Sequence, residues 1–341
     1  MVCCDGTWNT PDQQDNGKPS PTNVVKTVRT VAKRDSGGSP QLVYYDEGVG
    51  THWFDRLTGG AFGYGLSTNI RQAYRYLVRH YEPGDEVFLF GFSRGAYTAR
   101  STAGFIRKCG LLKREHASRI DEAYAFYRRR DDGSHPAGVE AQDFRRKYSH
   151  EIRIRFIGVW DTVGALGIPF HILRVFNRRL EFHDVKLSSY VENAFQALAI
   201  DEKRRIFIPA IWQKQPHAVD QVLEQVWFAG VHSNVGGGYA DSSLSDIAFL
   251  WMKNRAERCG LAFNEDYVEA NIHADVSGEL RDSKTGMYAL IPDYFRPIGK
   301  VSPETEAAHR GAVERMERRL SPAYRPQNLM KYLSGNAKVT S

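Results

Sequence analysis

The chain has 341 residues, 42% of them hydrophobic and 25% charged, which excludes intrinsic disorder over most of its length. A domain of this size buries roughly three quarters of the surface its unfolded chain exposes, so one large decorated domain competes with two ordinary ones. The net charge of +6 invites an anionic partner, but the basic runs Arg128–Arg130, Arg145–Lys147, Lys203–Arg205 and Arg315–Arg319 stand beside acids. No finger, RNP-like aromatic motif or long basic arm accompanies them, so no nucleic-acid partner is expected.

The chain opens without a basic and then apolar leader, and no run approaches the roughly 18 apolar residues of a membrane span. A cytoplasmic chain is expected, and export by a dedicated secretion system is compatible with it. Cys3, Cys4, Cys109 and Cys259 form neither a disulfide framework nor a CxxC pair and read as free thiols in a reducing compartment.

In chain order, Val2-Cys3-Cys4 predicts a short strand ending at Asp5-Gly6-Thr7, and Thr22-Asn23 caps a helix through Val24, Val25, Val28 and Val31. Leu42–Tyr45 reads as a strand closed by Gly48-Val49-Gly50. A glycine-rich loop over 59–65 leads to a helix over Leu66–Tyr81, which Pro83-Gly84 ends. Glu86–Phe90 is a strand suited to burial on both faces, followed by a helix over Ala96–Lys108 that Gly110 stops.

From Leu111 to His150 the β pattern gives way to helical sequence around Ile120–Arg130 and Gly138–Tyr148, an inserted segment. Ile154–Val159 resumes the strands, Ser188–Ala199 reads as a helix, Ile206–Trp212 and Gln225–Ala229 as two more strands, and Leu244–Cys259 as a helix. Thr305–Leu320 reads as a charged helix before a polar tail. Strands separated by helices predict an α/β fold, a mainly parallel sheet with helices on both faces. Reactive residues then belong just beyond the carboxyl ends of strands.

Gly91-Phe92-Ser93-Arg94-Gly95 matches G-x-S-x-G and stands between a predicted strand and a predicted helix, the context that this motif requires. Glycines are needed where strand and helix approach closely around a strained nucleophile. The alternative is a plain turn with a helix-capping serine. Serine needs a histidine base and a carboxylate to orient that base. His232 follows the apolar run Val226–Val231, and Asp161 follows Ile154–Trp160; Asp184 and Asp201 lack comparable strands. The order Ser93, Asp161, His232 is that of α/β-hydrolases. For an oxyanion hole the amide of Arg94 and that of Gly6 or Thr7 are expected, with Asp5 tying its loop together by hydrogen bonds.

Taken together, Cys4-Asp5-Gly6-Thr7-Trp8-Asn9, Thr22-Asn23-Val24, Gly91–Tyr97, Val159–Gly164 and His232–Tyr239 resemble the DUF2235 family, the catalytic domain of type VI secretion phospholipase effectors. The resemblance covers about residues 2–260. It implies an α/β-hydrolase fold, serine esterase or phospholipase activity, and a triad falling on Ser93, Asp161 and His232. Two departures stand out: Asn234 replaces the aspartate common in the family's His-Ser-Asp, and the chain begins almost on its first strand, as a sequence lacking an upstream residue or two would. A chain of this length also has little room for the large membrane-associating module of such effectors.

The expected organisation is one α/β-hydrolase-like catalytic domain over residues 1–300, with 111–150 inserted, and a charged helix and tail over 301–341. The insertion is expected to form a lid or acyl-binding wall from Tyr124, Phe126, Tyr127 and Phe144, its arginines meeting anionic head groups at a membrane surface; a peripheral helical pair is the alternative. Residues 59–65 lack the Gly-Lys-Ser/Thr of a phosphate loop. No H-E-x-x-H occurs, and Asp241 and Asp246 read as turn and cap residues, so neither metal nor cofactor is expected. The function read from the sequence is hydrolysis of a lipid or small carboxyl ester. A catalytically idle hydrolase fold with a binding or regulatory role is the rival.

Overall fold

A computed structural model of the chain describes residues 1–6, 9–48, 59–163, 186–335 and 337–341, the side chains of 59–64 and 287 aside. Among these residues eight parallel strands form the main sheet: β1 Val2–Cys4, β2 Tyr44–Asp46, β3 Val87–Phe92, β4 Ile154–Trp160, β5 Val191–Ala199, β6 Val222–Phe228, β7 Glu306–His309 and β8 Val339–Thr340. Their order across the sheet is β8-β7-β6-β5-β4-β3-β1-β2. Among the described residues the α-helices are α1 Asn23–Thr30, α2 Gly59–His80, α3 Arg94–Cys109, α4 Ile120–Arg128, α5 Val139–Tyr148, α6 His232–Gly236, α7 Ser243–Arg258, α8 Glu265–Asn271, α9 Arg310–Glu317 and α10 Gln327–Leu333.

Side-chain alternation explains why the sheet is covered on both sides. Val2, Cys4, Val87, Leu89 and Val159 join one core with α2 and α3, whereas Cys3, Phe88, Phe90, Phe92, Phe156 and Trp160 join an aromatic core under α1 and α7. Every residue of β3 is buried. The chain order reverses at β1, which lies between β2 and β3, and such a switch point is where open α/β sheets bind ligands. In register, Cys4 pairs with Gly91, Phe92 with Trp160, Trp160 with Ala197 and Phe228 with Ala199. The strand ends that carry the candidate residues therefore lie side by side.

Four expectations change. Ser188–Ala199 is not a helix but carries β5, in mid-sheet. Val191, Ala194, Phe195 and Leu198 fit helical spacing, yet a strand buried on both faces shows apolar residues at any spacing. Ile206–Trp212 is a short turn and irregular chain, not a strand. Pro209 cannot donate to a ladder, and the backbone of Trp212 is satisfied by the buried amide of Gln225 instead (2.7 and 2.9 Å). Finally, Glu306–His309 is a strand rather than the start of a helix. Glu306 is fully buried and accepts from the amides of Gly299, Val301 and Ser302 and from the Trp227 indole. The glycines at 59–65 begin α2 rather than forming a loop.

A buried ion pair fastens α1 to α7. Lys26 Nζ lies 2.5 Å from Asp246 Oδ1 and 3.0 Å from Ser245 Oγ, and Asp246 Oδ2 accepts from Ser242 and from the His273 amide. Burial pulls the Lys26 ammonium down from its ordinary value. Removing one partner strands the other charge. Asp246→Ala should therefore cost about 3–5 kcal/mol in urea unfolding, whereas Lys26→Met with Asp246→Leu should recover most of that loss.

Candidate active site

Ser93 follows β3 directly, with φ +55° and ψ −116°, a conformation that costs a non-glycine residue of order 1–3 kcal/mol. The flanking glycines are required by space. A Cβ on Gly91 would lie 2.5 Å from the Gly95 carbonyl oxygen, and one on Gly95 would lie 2.0 Å from that of Cys4. The Ser93 amide donates to the Trp160 carbonyl (3.1 Å), and its side chain makes no capping bond to α3. The reading of Ser93 as a simple helix cap thus fails.

One strand over, Asp161 has φ +38° and is completely buried. Its Oδ2 lies 2.6 Å from His232 Nδ1. Its Oδ1 accepts from the Ala199 amide (3.0 Å), and Arg296 reaches both oxygens (2.6 and 3.1 Å). Burial alone would raise this carboxyl, but the Arg296 charge and the His232 hydrogen bond together hold it well below the ordinary carboxylate range. Asp201 is engaged elsewhere, by the Gly230 amide and the Tyr324 hydroxyl, and Asp184 lies outside the described residues.

His232 opens α6 beyond the end of β6, its ring 4.7 Å from that of Phe92 and 4.9 Å from that of Phe207. The Phe92 contact brings the imidazole beside the residue that precedes Ser93. Among the described residues no hydrogen bond joins Ser93 to His232; such contacts are commonly long before substrate binds. Glu202, also buried, accepts from the His232 amide (3.3 Å), from Arg204 and from the Ser283 hydroxyl.

Gly6 lies against the serine, because a Cβ there would meet Ser93 Cβ at 3.3 Å. Its amide, however, donates to Asp5 Oδ1 (2.7 Å), so the donor expected from Gly6 is already engaged. Asp5 also accepts from the Thr22 and Tyr45 hydroxyls and from Asn9, and burial pushes its carboxyl up to about 6. Thr7 lies outside the described residues, and the Arg94 amide heads α3. Asn234 exploits its amide: Nδ2 donates to the Glu279 carbonyl while Oδ1 accepts from the Val231 and Arg281 amides. An ionised aspartate could not make the first of these bonds.

The family model described as "T6SS, Phospholipase effector Tle1-like, catalytic domain" matches residues 1–255. The chain belongs to this family. It is 31% identical over 240 residues to the uncharacterized protein YEL023C of Saccharomyces cerevisiae, covering 64% of this chain and 33% of that one. Among solved structures it is similar to an uncharacterized protein from Pseudomonas aeruginosa, with TM-score 0.48, 19% identity, and 81% and 48% of the two chains covered. It is also similar to the Tle1 effector bound to the VgrG spike of the type 6 secretion system, with TM-score 0.40, 20% identity, and 70% and 51% covered. The chain spans a third of the yeast relative and about half of each solved chain. The Tle1-like family is one of ester-cleaving phospholipases, and the match ends 41 residues before Arg296.

In this Tle1-like chain the insertion does not lie where the sequence suggested. It leaves at the end of α3 and returns before β4, and a helix linking parallel neighbours ends at the amino edge of the sheet. Leu111–Leu112 paired with Ser149–His150 closes its neck there. Tyr124, Phe126, Tyr127 and Phe144 form the seam that seats α4 and α5 on α3. Tyr124 and Tyr127 pack on the buried Phe105 (5.6 and 5.2 Å), and Phe126 stacks on Phe144 (5.4 Å). These four residues pack the insertion rather than line Ser93. Arg129 is held by Asp131 and Glu140, and Arg145 is buried against carbonyl oxygens.

Asp241 accepts from the Ser243 and Glu279 amides. Among the described residues no group of three or more His, Cys, Asp or Glu side chains could hold a metal ion, and no helix is long and apolar enough to cross a membrane. All four cysteines are buried free thiols. Phe126→Ala should lower stability by about 2–4 kcal/mol and leave turnover of a soluble ester within twofold. A large loss of turnover at unchanged stability would restore these aromatics to the site.

Proposed function

We propose that this chain is a serine hydrolase of carboxyl esters, with phospholipids or smaller lipid esters as substrates, working through Ser93, His232 and Asp161. The observation that carries the reading is the strained serine beyond β3 together with the 2.6 Å Asp161–His232 pair, whose members follow β4 and β6. Bound by Asp161 through Nδ1, the imidazole has Nε2 left for the serine hydroxyl. Ser93 Oγ attacks the ester carbonyl as His232 Nε2 takes its proton, and the Asp161 carboxylate stabilises the imidazolium that forms. The imidazolium then protonates the departing alcohol, leaving an acyl-serine. Water, deprotonated by the same nitrogen, releases the acid and restores the serine.

The oxyanion of each tetrahedral intermediate is stabilised by the Arg94 amide at the start of α3, with a second donor from the loop after β1. Gly6 shapes that wall. The lipid substrate class follows from the Tle1-like family, and a peripheral contact with an anionic membrane surface would bring such a substrate within reach.

Ser93→Ala and His232→Ala should each lower turnover of a p-nitrophenyl ester on the order of 10⁴–10⁶-fold, and Asp161→Asn somewhat less. Circular dichroism should show the fold intact. A fluorophosphonate should label the unaltered chain at Ser93 and leave Ser93→Ala unmodified. EDTA should leave the rate unchanged, and failure to label a folded chain would favour the idle-fold alternative.

A further inference from the structure

Arg296 lies in the segment beyond the family match, 135 residues from Asp161 in sequence, yet it is completely buried against that carboxylate. Nη1 donates to Asp161 Oδ1 (2.6 Å) and to the Ala199 carbonyl (2.9 Å). Nη2 donates to Asp161 Oδ2 (3.1 Å) and to the Phe207 carbonyl (2.5 Å). One guanidinium thus joins the acid after β4, the end of β5, and the turn whose Phe207 ring packs on His232. Its own segment is fixed in turn by Asn328, which donates to the Arg296 and Ile200 carbonyls.

We infer that Arg296 is a positioning residue of the hydrolytic site, setting both the orientation of Asp161 toward His232 and the pH range in which the imidazole works as a base. The inference rests on the serine-hydrolase reading above. A fork of two parallel donors fixes the plane of a carboxylate, which one ammonium cannot do. With both oxygens held, Oδ2 faces Nδ1 in a single orientation and the tautomer carrying the proton on Nδ1 is selected. The charge acts as well: a buried Asp161 without a cation would stabilise imidazolium more strongly and delay its deprotonation as pH rises. Among the described residues, the other charged groups about the imidazole are Glu202 at its amide and Arg204, paired with Glu202. Glu202 and Arg204 offset one another, so Arg296 is the cation that balances Asp161.

The test compares Arg296→Met, Arg296→Lys and Arg296→Ala with the unaltered chain on a soluble p-nitrophenyl ester across pH. Arg296→Met should lower kcat by about 10–100-fold with little change in KM, and the rising limb of the kcat/KM profile should move up by on the order of one pH unit. Arg296→Lys should lose turnover while its limb stays in place, because the charge remains and the fork is lost. Added guanidinium should restore part of the rate of Arg296→Ala, whereas sodium chloride at equal ionic strength should not.

A folded Arg296→Met with unchanged kcat and limb would overturn the inference, as would lowered stability with neither kinetic effect. Should Arg296→Met fail to fold, Arg296→Lys decides, since unaltered turnover there overturns the positioning role. An unaltered chain that does not take a fluorophosphonate at Ser93 overturns both readings. A labelled chain with kinetically silent Arg296 variants overturns this one alone.

Discussion

A carboxylate with no exposure to solvent has to find its solvation in the protein, and Asp161 finds it in four donors from three places. The Ala199 amide comes from the end of β5, His232 from the end of β6, and the two Arg296 nitrogens from a segment that returns after α8. An isolated ion would cost far more than any of these contacts repays singly. The set must therefore assemble together, which ties the geometry of the site to completion of the sheet and to the chain beyond residue 255. Asp161 has no half-formed state that is cheap.

The parallel sheet makes this convergence geometrically available. Neighbouring strands point the same way, so the loops leaving Cys4, Phe92, Trp160, Ala199 and Phe228 emerge at one edge, and the register keeps those ends level. The reversal at β1 opens space on that edge next to Ser93, where Gly6 and Gly95 allow the two loops to touch. Thr22 extends the same arrangement. It accepts from the Val25 amide as the cap of α1, donates to Asp5 and bridges to Gly237 in the His232 loop. A residue that reads in sequence as a helix cap also couples the two loops beside the serine.

The features legible in the sequence are those that depend on local sterics. The glycines around Ser93 and the apolar strands before Ser93, Asp161 and His232 announce themselves because each is set by its immediate neighbours. Val191–Ala199 reads as a helix because burial on both faces erases the alternation that marks a strand, leaving Val191, Ala194, Phe195 and Leu198 at helical spacing. Arg296 carries no signal at all: an arginine among loop residues gives no hint of a partner 135 positions away. Glu306 is hidden likewise, since its buried hydrogen bonds appear only once the sheet has extended to β7. The insertion misleads for a different reason. Its position in the chain is plain from the sequence, but a helix that leaves the reactive edge ends at the opposite one.

Among the described residues, the non-glycine residues with positive φ are Asn16, Ser93 and Asp161. Asn16 occupies an exposed turn beside Gly17, where asparagine tolerates that conformation at small cost. Ser93 and Asp161 stand one residue beyond paired positions of adjacent strands, where each side chain must turn abruptly out of the sheet. Their amides are nevertheless fully engaged, Ser93 to the Trp160 carbonyl and Asp161 to the Ala197 carbonyl. The ladder thus continues one bond past each strand and holds both backbones in conformations that they would not choose alone. Strain at these two positions is sustained by the central sheet rather than by the side chains it presents, so the serine and the acid can be substituted without removing what bends the chain beneath them.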